Sequence, residues 1–202
     1  MVKKILLMFV IFLVSFSFAF AENGSTNGSN SNTPEVNTTD DSPQIGTLRP
    51  VSRGKYMRED GREMNIEQVR NRNRLRVGNH SANCSLELQQ EQSLTGTKLK
   101  ATLSNGRNAE IKIMPDVAAE RALERLRLRV CLEEEGCEIE LKEVGKGNET
   151  KPAYEIHAGK EARVLGMFKT RMRVQAQVDA ENGEVIRVQK PWWAFLASET
   201  KE

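Results

Sequence analysis

Acid–base or thiol chemistry near neutral pH would fall to two histidines, His80 and His157, and three cysteines, Cys84, Cys131 and Cys137. Neither histidine stands at ligand spacing from the cysteines, so a zinc site is not expected. The chain has no Gly-rich phosphate loop, no nucleophile elbow and no metal-binding helix motif. Glu133, Glu134 and Glu135 are consecutive, but calcium needs several further oxygen ligands, and the run reads as a solvated loop. The sequence therefore predicts neither an enzyme nor a bound cofactor. Cys131 and Cys137 flank Leu132, the three glutamates and Gly136, a connection supple enough to let the two thiols meet, and a disulfide between them is expected in an oxidising compartment. Cys84 is then left over, either as a buried thiol packed like a small apolar residue or as one half of an intermolecular bridge.

Groups that could bind rather than react are more plentiful. Arg70, Arg72, Arg74 and Arg76 occupy alternate positions, which in a strand places all four on one face; such a row suits an anionic polymer, a phospholipid surface or an acidic protein. The plainer alternative is a solvated strand face with glutamates opposite. Arg121, Arg125 and Arg129 repeat the theme at helical spacing, although like charges four residues apart cost a few tenths of a kcal/mol per pair, roughly, unless something uses them. Trp192, Trp193 and Phe195 stand together near the end of the sequence beside Lys190, and either fold back onto the core or anchor in a membrane interface or partner groove.

The elements that must position these groups begin with an export signal. Lys3 and Lys4 precede an apolar run, and Ala19-Phe20-Ala21 offers a small-residue cleavage site before the chain turns polar at Glu22. Residues 1–21 are expected to be a signal peptide and the remainder secreted or extracytoplasmic. Without Lys3 and Lys4 the 30 basic residues fall to 28 against 28 acids, so net charge points to no partner and nucleic acid is not expected. Residues 22–50 are rich in Asn, Ser, Thr and Gly, a composition that predicts a disordered polar linker. Three Asn-x-Ser/Thr patterns, at Asn23, Asn27 and Asn37, lie in it.

Beyond the linker, alternation with a period of two predicts strands at 74–77, 84–89, 98–103 and 108–113, with Asn105-Gly106 suited to a tight hairpin. This gives a β-rich region over 51–112. Pro115 and Asp116 then open a helical period through Ala119, Ala122, Leu123 and Leu126, expected to end near Val130. Strand periodicity returns around Ile139, in Tyr154, Ile156 and Ala158, from Met172 to Val178 and over 185–188, after a turn built on Asp179, Asn182 and Gly183.

Met114-Pro115-Asp116-Val117-Ala118 with Ala122-Leu123, Tyr154-Glu155-Ile156, and the run from Val178 through Asp179-Ala180-Glu181-Asn182-Gly183 to Ile186 together resemble a PepSY domain, over residues 113–188. Periodicity thus predicts an α+β fold, an antiparallel β-meander followed by a helix plus four-stranded antiparallel sheet at 113–190, which the resemblance marks as PepSY-like, with a Trp-rich tail at 191–202. The resemblance further implies a non-catalytic module that binds or inhibits an extracytoplasmic protein, with peptidases among the candidates. The alternative is a structural envelope protein held at an anionic or membrane surface by the arginine face and the tail.

Overall fold

The computed structural model describes residues 45–128 and 130–199. Residues 1–21, read as an export signal, the three Asn-x-Ser/Thr patterns of the segment read as a linker, and Arg129 lie outside the described residues. Five short strands come first: β1 (Leu48–Pro50), β2 (Gly54–Met57), β3 (Glu63–Val69), β4 (Arg72–Val77) and β5 (His80–Cys84). They are followed by β6 (Glu87–Gln92), β7 (Thr97–Thr102), β8 (Asn108–Glu110) and the helix α1 (Pro115–Leu126). The remainder is β9 (Glu138–Val144), the long hairpin of β10 (Lys151–Val164) and β11 (Phe168–Asp179), then β12 (Val185–Gln189) and β13 (Ala197–Glu199).

These strands form two sheets, and the partition overturns the expected meander followed by a separate helix-plus-four-stranded unit. One sheet has four strands in the order β1-β6-β7-β8. The other runs β12-β11-β10-β9-β5-β4-β3-β2, with β13 joining off this path on β10, so it draws strands from both sides of α1. The protein is mostly β with one α-helix among the described residues. The junction is a short parallel ladder in which Asn83 faces Glu140 and Cys84 faces Leu141. Parallel neighbours need a long crossover, here the whole of β6–β8 and α1, and nothing in a period-two pattern announces it. The run Cys84, Leu86, Leu88 illustrates the difficulty: its alternation is continuous, yet β5 ends at Cys84 and the chain enters the other sheet at Glu87.

Register sorts the large sheet into a dry face and a wet one. Ile66, Leu75 and Ala82 lie side by side across β3–β5, and Cys84, Leu141, Tyr154 and Val178 continue the apolar face across β5, β9, β10 and β11. One residue along, Glu67, Arg74, Asn83, Glu140, Glu155 and Gln177 form a transverse polar row on the opposite face. The apolar face, α1 and the small sheet share one core, to which Leu88, Leu99 and Ile111 contribute from the side of the small sheet. Ala118, Ala119 and Ala122 let the helix backbone lie close on that face. Tyr154 is wholly buried and its hydroxyl donates to the Ile113 carbonyl at 2.9 Å, fixing the entry to α1.

The helix begins at Pro115, where a missing N–H costs nothing, and Asp116 in its first turn accepts from Arg62 at 2.8 Å. It stops at Leu126, earlier than the periodicity suggests, because Arg127 turns left-handed at φ 55°. Buried Lys160 on β10 donates to the Leu126 carbonyl at 3.2 Å, so a cation from the sheet satisfies the helix end.

Leu141 is fully buried at the seam between β5 and β9, so Leu141→Ala should lower unfolding stability by about 2–5 kcal/mol, the range for a buried leucine truncated to a poorly collapsible cavity. Urea denaturation followed by far-UV circular dichroism measures this. A loss below about 1 kcal/mol would mean that the seam is not a packed joint.

Candidate binding surfaces

The arginine row is only partly a row. Arg70 and Asn71 adopt positive φ in the turn before β4, so Arg70 stands apart from the strand face that carries Arg72, Arg74 and Arg76. Those three each meet a glutamate. Arg72 lies 3.8 Å from Glu140, Arg76 3.8 Å from Glu67, and Arg74 donates to both carboxylate oxygens of Glu133 at 2.5 and 2.6 Å. The hydrogen bond from Arg74 holds the Glu133 carboxyl below its ordinary range. The row is thus stitched to neighbouring strands and to the acidic loop.

That loop is closed by the Cys131–Cys137 disulfide, with Cα atoms 5.1 Å apart. Glu133–Glu135 form a 3-10 turn within it, and Arg171 on β11 donates to the Glu135 carbonyl at 2.5 Å. Arg171 reaches the loop over Gly159, where a Cβ would lie 2.2 Å from its Nε and would push the guanidinium aside. Two arginines therefore tie the acidic loop, closed at its base by the disulfide, to the wet face. Cys84 is buried in the core, and burial pushes its thiol up to about 12; this is the packed thiol and not an exposed bridging one.

Asp179, Asn182 and Gly183 form the turn between β11 and β12. Buried Asp179 accepts from the Glu181 amide at 2.8 Å and pairs with Lys151 at 2.8 Å, Asn182 accepts from the Glu184 amide at 2.8 Å, and Gly183 sits at φ 79°. The turn sets where β12 begins. A Cβ on Gly183 would approach Arg121 Nε to 3.0 Å, so the bare glycine lets the helix arginine lie across it.

Between that turn and α1 an open groove of about 1010 Å³ runs along β12. Val185, Ile186 and Val188 line its strand side, and Arg121, Arg125 and Arg127 its helix side. With Arg187 and Lys190 the lining holds five basic groups against Glu124 and Glu184. Within the large sheet β12 pairs only with β11, so its outer edge is unpaired among the described residues. The sequence shows the helical arginine stripe and the β12 alternation separately; their facing one another follows only from the fold. A second, smaller cleft on the wet face is lined by Glu138, His157, Gly159, Arg171 and Arg173.

The tail divides its aromatics. Trp192–Leu196 form a 3-10 turn, from which Trp193 packs partly against the core while Trp192 and Phe195 face solvent. Among the described residues no three His, Cys, Asp or Glu side chains are grouped to hold a metal ion, and no helix is long and apolar enough to cross a membrane. Comparison with family models, with curated proteins and with solved structures gives no match.

At the centre of the wet face, Glu155 accepts from Lys142 at 2.6 Å and Gln177 at 2.7 Å and lies 2.9 Å from His157 Nε2. Burial alone would raise its pKa, but these hydrogen bonds outweigh it and bring the carboxyl down to about 2. A depressed carboxylate contributes stability above its unfolded pKa of about 4.3, and that contribution disappears as pH falls through the folded value. Glu155→Gln should therefore be less stable than the wild type at pH 6, with the two converging near pH 2. Denaturation midpoints across this range test the expectation, and a stability difference that is flat with pH would contradict it.

Proposed function

We propose that this chain is a non-catalytic, PepSY-like extracytoplasmic module that holds an extended acidic segment of another protein along β12, with peptidases among the candidate partners. The observation that carries the reading is an unpaired strand edge lying directly beside a basic helix wall. An added strand would satisfy the backbone groups of β12, and its acidic side chains would meet Arg121, Arg125 and Arg127 while its apolar ones cover Ile186 and Val188. No carboxylate among the described residues stands at ion-pair distance from those three arginines. The arginine row of β4 is the weaker candidate, because its charges already face glutamates. Neither a cofactor nor nucleic acid has a part in this reading, and the export signal read from residues 1–21 supplies its compartment.

A peptide of alternating Glu and Val should bind and shift the backbone amide resonances of Val185–Gln189. Arg121→Glu/Arg125→Glu should weaken that binding by about tenfold or more, since reversed charges repel where the wild type attracts. A peptide of alternating Lys and Val that binds equally well, or resonance shifts confined to other strands, would refute the proposal.

A further inference from the structure

We infer that the outer end of the β10–β11 hairpin and the 3-10 turn of the tail together form a foot that seats on an anionic lipid surface. The two pieces are distant in sequence. β9 leaves β10 at His157, and β13 takes up the same edge further out, pairing with Ala162, Arg163 and Val164. Leu165 at the hairpin turn donates its amide to the Leu196 carbonyl at 3.0 Å, so the turn and the tail are bonded side by side. Leu165, Met167 and Phe168 are more than half exposed there, at 62%, 74% and 65%. Trp192 and Phe195, three residues apart in a 3-10 turn, project on one side and are 80% and 77% exposed. Five large apolar side chains at one protruding end form a patch of the kind soluble monomers seldom present without a use for it.

The two segments that carry the patch are rich in cations. On the hairpin no acid occurs between Glu161 and Asp179, a stretch that holds Arg163, Lys169, Arg171 and Arg173. On the tail side none occurs between Glu184 and Glu199, where Arg187 and Lys190 stand. Trp, Phe, Met and Leu at a projecting tip with a collar of Lys and Arg behind them match the depth profile of a bilayer interface: rings and aliphatic groups at the headgroup boundary, cations at the phosphates.

The test is co-sedimentation of the full chain with vesicles of equimolar phosphatidylglycerol and phosphatidylcholine and with vesicles of phosphatidylcholine alone. Every sample carries the same N-terminal segment, so differences between variants report on the foot. Wild-type protein should partition onto the anionic vesicles about tenfold more strongly than onto neutral ones and should be released by raised salt. Met167→Ser/Phe168→Ser on the hairpin and Trp192→Ser/Phe195→Ser on the tail should each reduce that partitioning about tenfold while leaving the urea midpoint unchanged. Partitioning indifferent to lipid charge, variants that sediment like the wild type, or losses seen only where the urea midpoint also falls would overturn the assignment.

Discussion

The architecture hangs on the contact between β5 and β9. Only two residue pairs form the parallel ladder, yet they bring together strands from the two sides of α1 and so give the helix and the small sheet a single apolar floor to cover. Without that contact β2–β5 and β9–β12 would present two separate apolar faces rather than one continuous floor. Packing reinforces what hydrogen bonding cannot: Cys84 and Leu141 face each other at the seam, and Ser85 donates both its amide and its hydroxyl to the Leu141 carbonyl. Burial of Cys84 is part of this joint, which accounts for a thiol lodged where no redox chemistry could reach it.

Local chemistry was legible in the residues, and long-range pairing was not. Pro115 and Asp116 mark the helix start, Asn105-Gly106 and Asn182-Gly183 mark turns, and the short acidic span between Cys131 and Cys137 marks the disulfide. The expected fold class fails for a physical reason: a period of two says that a strand has one dry face but not which sheet that face belongs to. Leu86 and Leu88 continue the alternation of Cys84 across a change of sheet, and the extra residue on β12, Ile186, opposite the step from Gln177 to Val178 leaves no mark on composition. The binding surfaces divide in the same way. The arginines on β4 could be seen in the sequence, but only Glu67 on neighbouring β3 is close to them in the chain; Glu140 on β9 and Glu133 in the disulfide loop are far along it. The groove and the foot each join segments whose only relation is spatial.

Charge is deployed differently on the two faces of the molecule. Across the wet face of the large sheet, cations are paired with acids from neighbouring strands, with Glu155 at the centre of a satisfied cluster and the disulfide loop tied across one side. Along the groove between α1 and β12, by contrast, five basic groups stand against Glu124 and Glu184. A protein whose basic and acidic residues nearly cancel can thus still offer cationic ground, because the acids are spent on cross-strand order elsewhere.

The shared edge of β10 also bears on how the chain is made. Its inner portion is capped by β9, which precedes it, but residues 162–164 receive their neighbour only from β13, which leaves the ribosome well after the hairpin. Until then a nascent chain displays bare main-chain amides and carbonyls next to Leu165, Met167 and Phe168, an adhesive combination for any other unfinished polypeptide. Folding that waits for the whole polypeptide would avoid that hazard, as happens when a protein crosses a membrane unfolded and collapses on the far side.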